Sequence, residues 1–284
     1  MTENNGRRRS PGPGALPHRR VLLNDTDWAS LATVCGTGES LPAALARLLD
    51  PDPAVRADAA GKALGEVTHQ NTLYEATVPV ALYVASILDE PGVSAGDFGP
   101  EADMPPPRRP TLVRLLRWLG DTAYDADDAD DADDADDADD ACLAIAERRC
   151  CEPDPHENEE MRAFRDLRPA IFSAVRPLLD HHSADVREAA FVAAAPLAEH
   201  PLLAERRSEL AGHARHLLAT SADRRSRDRA LDALKAWGHD TNDLENPSDV
   251  AARERYARLR AERYARLRAE RSGWDGGYSK HPPF

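Results

Sequence analysis

The stretch Leu41–Val67, LPAALARLLDPDPAVRADAAGKALGEV, spells out one complete pair of helices and the turn between them. Leu41, Leu45, Leu48 and Leu49 fall at i, i+4, i+7 and i+8, on a single helical face. Asp50-Pro51-Asp52-Pro53 stops that helix and starts the next, with Asp52 as N-cap and Pro53 at the first helical position, where its missing N–H costs nothing. Val55, Ala59, Ala63 and Val67 line the second helix.

The pattern returns. Leu167, Ile171, Val175, Leu178 and Leu179 form a stripe ending at Asp180, and Ser183-Ala184-Asp185-Val186-Arg187 opens a helix lined by Val186, Ala190, Ala193 and Leu197. A third copy carries Leu210, Ala214, Leu217 and Leu218, then Ser221-Ala222-Asp223, then Ala230, Leu231, Leu234 and Trp237. Leu178 and Leu217 are 39 residues apart, as are Leu48 and Ile87, which precedes a similar stop at Asp89-Glu90-Pro91. Helix pairs recurring about every 40 residues predict an all-α fold, an α-solenoid of stacked antiparallel pairs over residues 21–240, with essentially no strand.

Val55-Arg56-Ala57-Asp58-Ala59-Ala60 and Val186-Arg187-Glu188-Ala189-Ala190, each following paired leucines and an acidic stop, resemble the short motif of the HEAT-repeat family and its HEAT-like variants. The resemblance covers about residues 25–238. It implies a binding scaffold more often than an enzyme. It also implies that Asp50 with Arg56, and Asp180 with Arg187, tie neighbouring repeats together. The third copy departs from the pattern, with Arg224-Arg225 where the motif has Val-Arg.

Charge narrows the partners. A formal net charge of −14 opposes non-specific attraction to nucleic acid or an anionic membrane and favours a basic or mixed-charge protein. No apolar run approaches the ~18 residues that span a bilayer, and Arg7-Arg8-Arg9 leads into Ser-Pro-Gly-Pro-Gly, not a hydrophobic segment. The four cysteines are too few and too uneven for a secreted disulfide framework, so the expected location is the cytoplasm. Positive charge is almost all arginine, which fits a GC-rich bacterial genome and carries no functional meaning.

Along the chain, residues 1–20 read as a disordered tail. Asn24 or Asp25 is expected to cap a short helix through Trp28, Leu31 and Ala32 that shields the first repeat. Thr68 to Tyr74 is polar and turn-like, a helix runs from Thr77 to Leu88, and residues 91–110 form a loop. Thr111 to Trp118 resumes a helix before an acidic insert at 125–140, whose aspartates repel one another and favour a solvated, poorly ordered lobe or a frayed extension of the helix. Residues 241–284 comprise a linker, a basic amphipathic helix and a tail. That helix contains a tandem octad, ERYARLRA, which puts Tyr256, Leu259, Tyr264 and Leu267 within an arc of roughly 140°. It has three readings: a solvated terminal helix, docking on the acidic insert, or binding an external polyanion.

Few residues point to chemistry. Cys142, Cys150, Cys151 and His156 lack the paired Cys-x-x-Cys spacing of common zinc modules and read as buried or idle thiols. His213 and His216, three apart on a helix, read as a surface pair. The aspartate run lacks the sixth-position glycine and twelfth-position glutamate of an EF-hand. His156-Glu157 is a single His-Glu pair, where HEAT-like di-iron hydroxylases use several. HEAT-like DNA glycosylases need a basic groove. No G-x-S-x-G, phosphate loop or H-E-x-x-H occurs.

The expected function is a non-catalytic, cofactor-free scaffold for protein–protein interaction. An immunity-type protein masking a toxin's active site and a bilin lyase-like enzyme are the alternatives. Candidate partner-binding residues are His69, Gln70, Asn71 and Tyr74, a polar cluster on an inter-helix turn with a tyrosine suited to anchoring.

Overall fold

The computed structural model describes residues 16–94, 110–128 and 159–274. This part is mostly helical. In chain order its helices are α1 (Arg19–Asp25), α2 (Leu41–Ala46), α3 (Pro53–Gly65), α4 (Thr77–Ala85), α5 (Pro91–Ser94), α6 (Thr111–Asp128), α7 (Glu159–Val175), α8 (Ala184–Leu197), α9 (Arg207–Thr220), α10 (Arg224–Ala236) and α11 (Pro247–Trp274). Cys142, Cys150, Cys151, His156, most of the acidic insert and the C-terminal tail lie outside the described residues.

Local chemistry starts the helices. Asp52 accepts the Ala54 N–H at 2.8 Å with Pro53 at the first position of α3, and Asp223 accepts the Ser226 N–H at the start of α10. Asn246 and Asp249 form a reciprocal capping box on α11: Asn246 Oδ1 accepts the Asp249 N–H at 2.9 Å, and Asp249 Oδ2 accepts the Asn246 N–H at 2.8 Å.

Two expectations need correction. The helix placed after Asn24 or Asp25 lies upstream, with α1 beginning at Arg19 and capped by His18, while Trp28 is buried in a separate 3₁₀ turn. Arg19 and Arg20 thus belong to a helix and not to the tail. Two short antiparallel hairpins, β1–β2 (Ala32–Thr33 with Gly36–Thr37) and β3–β4 (Thr68–His69 with Thr72–Leu73), stand where no strand is expected. Two-residue strands are too short to leave an alternating pattern. Helix α6 continues past Trp118 to Asp128, so residues 125–128 of the acidic insert extend the helix as its last turn. Arg168 and Arg165 of α7 hold that end: Arg168 Nη2 donates to Ala123 O and Asp127 Oδ1, and Arg165 Nε to Ala126 O.

The arginines of the repeat motif reach the turns that precede their helices. Arg56 Nη1 donates to the backbone carbonyls of Asp50 and Pro51, and Arg187 Nη1 to those of His181 and His182. Each therefore clamps its helix to its own preceding turn through carbonyl oxygens, and these contacts do not run to the Asp50 or Asp180 carboxylate. The third copy carries the device as well. Arg227 stands four residues after its N-cap Asp223, as Arg56 does after Asp52 and Arg187 after Ser183, and donates to Leu218 O and Ser221 O.

Packing runs from α3 to α6, from α6 to α8 and from α8 to α10, while α4 packs on α7 and α9 on both α8 and α10. Helix α8 is the hub. Val186 and every residue from Ala189 to Ala198 are buried, six of the latter being alanine, and such small side chains let neighbouring axes approach closely. Gly120 of α6 exploits this: a Cβ there would stand 3.1 Å from both Val192 O and Ala193 Cα. Val192 O is the carbonyl whose in-helix donor is removed by Pro196. Gly212, by contrast, sits exposed within α9 with nothing within 4 Å of an added Cβ. Gly212→Ala is therefore expected to stabilise the fold by about 1 kcal/mol through helix propensity, a gain that chemical denaturation would read directly.

Two turn histidines make the fold sensitive to acid. His181 Nδ1 accepts the Ser183 N–H at 3.1 Å and His200 Nδ1 the Leu202 N–H at 3.2 Å, so both act as caps in the neutral form. Burial, aided by His182 and Arg187 at the first site and by Arg168 at the second, holds both below the ordinary 6.5. The unfolded chain then binds more protons, so this contribution is fully present above pH 6.5 and is lost as pH falls through the folded values. Thermal melts across this range should show a falling midpoint. His181→Asn, which keeps an acceptor for Ser183, should flatten the slope, and an unchanged slope would assign it elsewhere.

Candidate functional site

The hairpin β3–β4 is fixed from below. Thr68 Oγ1 donates to Leu64 O at the end of α3 and accepts from Trp118 Nε1 of α6 at 3.1 Å, and Leu73 is buried. Thr77 Oγ1 donates to Val67 O at 2.5 Å and accepts the Tyr74 N–H at 2.9 Å. The first hairpin braces it laterally: Ala32 N donates to the Glu75 carboxylate, Ala76 N to Ala32 O and Val34 N to Glu66 O.

With Thr68 opposite Leu73 and His69 opposite Thr72, the loop is two residues long, Gln70 and Asn71, at φ of 49° and 63°. Such a turn matches strand twist when both central residues are left-handed, which favours Asn-Gly. Glutamine there costs on the order of 1 kcal/mol. Gln70 is exposed at the hairpin tip.

The tip overhangs an open cleft of 340 Å³ lined by Thr68, His69, Gln70, Asn71, Asp121, Asp125, Arg225 and Arg229. Its walls come from three regions of the chain. Asp121 and Asp125 are one turn apart on α6, and Arg225 and Arg229 one turn apart on α10. Arg225 Nη2 donates to Asp121 Oδ1 at 2.5 Å. Arg225 remains 58% exposed and Asp121 34%, so this ion pair contributes little to stability and can exchange for another at small cost. The Arg229 guanidinium lies over the Tyr124 ring, 3.4 Å from its centroid. Burial pushes the Tyr124 hydroxyl up to about 12 although Arg229 opposes it, so the phenol stays protonated at neutral pH.

The structure thus brings His69, Gln70 and Asn71 together and leaves Tyr74 out of the lining, half-buried beside Thr77. It adds Asp121, Asp125, Arg225 and Arg229, which sequence reasoning missed. Arg225 and Asp121 are 104 residues apart, and the two charged pairs read as ordinary solvated faces at i, i+4. The cleft offers amide groups, carboxylates and guanidinium groups, one of them held over an aromatic ring. Among the described residues no group of three or more His, Cys, Asp or Glu side chains is placed to hold a metal ion, and no helix is long and apolar enough to cross a membrane. In comparison with known proteins, the chain matches no family model, no curated protein and no solved structure.

Proposed function

We propose that this chain is a non-catalytic HEAT-like α-solenoid that binds another protein, with the β3–β4 tip and the charged walls of α6 and α10 as the contact site. The succession α3, α6, α8, α10 and the arginine four residues after the N-cap in three helices support the repeat reading. The binding reading is carried by one observation, the pair Gln70-Asn71 held left-handed at the mouth of a polar cleft. Strain at an exposed turn marks a position kept for what its side chains touch. A peptide segment of mixed charge fits best, since side-chain amides pair with backbone N–H and C=O while Asp121–Arg225 exchanges for charges on the partner.

The test separates binding from folding. Q70N/N71G installs a less strained turn and is expected to raise stability by up to about 1 kcal/mol while weakening partner binding at least about tenfold. Affinity capture from the native host with the wild-type chain identifies the partner, and titration of purified proteins compares the variants. Binding that is unchanged in both Q70N/N71G and Arg225→Glu would sink the assignment of this cleft.

A further inference from the structure

Helix α11 docks on α10 by one side of its first turns. On that side Asp249 pairs with Arg227 of α10, Ala252 is buried, and Tyr256 lies under the Arg224 guanidinium, 5.0 Å from its ring centroid. The side continues at helical spacing into Leu259, with Tyr264 on the same arc. Here α10 no longer covers it, and Tyr256 and Leu259 are 59% and 50% exposed. Exposed tyrosine and leucine in line with an established helix–helix contact form an interface left half covered.

The charge around this stripe says what fits it. Between residues 253 and 266 the sequence places six arginines against two glutamates. On a wheel of ~100° per residue Arg260 falls between Tyr256 and Tyr264 and Arg255 beside Leu259, so positive charge lies among the apolar anchors and along one edge. The helix continues for some 20 residues past Ala252, roughly 30 Å, several times the ~8 Å over which charges are screened. The net −14 of the whole chain therefore does not cancel the local positive field.

We propose that the Tyr256–Leu259–Tyr264 face of α11 docks an acidic amphipathic helix of another protein. A second copy of α11 would bring arginine against arginine. An anionic bilayer is disfavoured because arginine encircles the helix and the apolar stripe is short. A simple polyanion would leave the tyrosines and the leucine unused. Helix-in-groove recognition uses apolar anchors that recur on one helical face, here at i, i+3 and i+8, with complementary charge beside them. The proposal is independent of the cleft, which lies on α6, α10 and the hairpin.

The experiment uses the full-length chain and a fluorescently labelled Leu/Glu amphipathic peptide of about 20 residues, read by anisotropy. Polyglutamate of equal charge, phosphatidylserine-containing vesicles and sedimentation of the protein alone run in parallel. The expected result is saturable peptide binding, weakened at least about tenfold in Y256A/L259A and in R255E/R260E, with circular dichroism unchanged because these side chains are largely exposed. Several results would overturn it: absence of peptide binding; polyglutamate binding as tight and indifferent to Y256A/L259A; preferential capture by vesicles; or self-association abolished by Y256A/L259A. Stronger peptide binding after deletion of residues 129–140 would also overturn it, by making the chain's own acidic insert the occupant.

Discussion

Replacing Arg227 by methionine is expected to destabilise the protein by about 3 kcal/mol and to release α11 from α10. Arg227 and Asp249 are almost fully buried, at 5% and 3% side-chain exposure. Three Arg227 donors reach three carbonyls, of Leu218, Ser221 and Leu244, and the Asp249 carboxylate besides. Methionine fills the space but leaves the Asp249 charge and these carbonyls without the guanidinium, and an uncompensated buried charge costs far more than a pair contributes. The site lies beneath a single helix at the end of the molecule, so water reaches the damage and the low end of the range applies. Hydrogen exchange should show protection lost first in residues 240–256.

R227M/D249L should recover much of the loss, because it removes both charges together. If the double variant is no better than R227M, the carbonyl contacts and not the ion pair hold α11. Hydrogen bonds from Arg227 also hold Asp249 below the ordinary carboxylate value of 3.8. A depressed carboxylate contributes stability above that value and loses it as pH falls through the folded one, so α11 should undock only in strong acid, well below the histidine-dependent transition.

Gly120→Val should cost a comparable amount, about 3 kcal/mol, for the opposite reason. Here nothing is removed. The new Cβ meets Val192 O and Ala193 Cα at 3.1 Å and Ala193 N at 3.3 Å, all of them backbone atoms of the hub helix. A flexible side chain could turn away, but a helix backbone packed on several sides can only be displaced as a unit. Gly120→Ala should cost less, since it gains helix propensity of about 1 kcal/mol against the same contact. Equilibrium denaturation of both variants, beside Gly212→Ala as the glycine with free space, measures the effect. A Gly120→Val variant as stable as the wild type would mean that α6 and α8 can separate without loss.

How legible the molecule was depended on the range of each interaction. Asp52 as N-cap, Pro53 beside it and the leucine stripe of α2 are settled within one or two turns, and sequence periodicity reports such distances directly. The third arginine clamp was missed because the motif was aligned on its first residues, whereas the geometry counts four residues from the N-cap, at Arg227. The hairpins escaped because their strands are two residues long and the β3–β4 turn is Gln-Asn instead of Asn-Gly. His69, Gln70 and Asn71 could be singled out as polar residues on a turn, but Tyr74 beside them could not be set apart, since which side of a turn faces a neighbour is fixed by that neighbour.

The sequence by itself determined where α3, α8 and α10 begin, which faces are apolar and that the pattern recurs, because hydrogen bonds between i and i+4 and caps at i+2 or i+3 are local. Only the tertiary structure decided that α6 and α10 stand side by side, that Asp121 meets Arg225 beneath the hairpin tip, and that Gly120 rests on the backbone of α8. Those contacts join residues far apart in the chain, and their geometry follows from how the alanine-rich hub lets its neighbours close in, which no local pattern records.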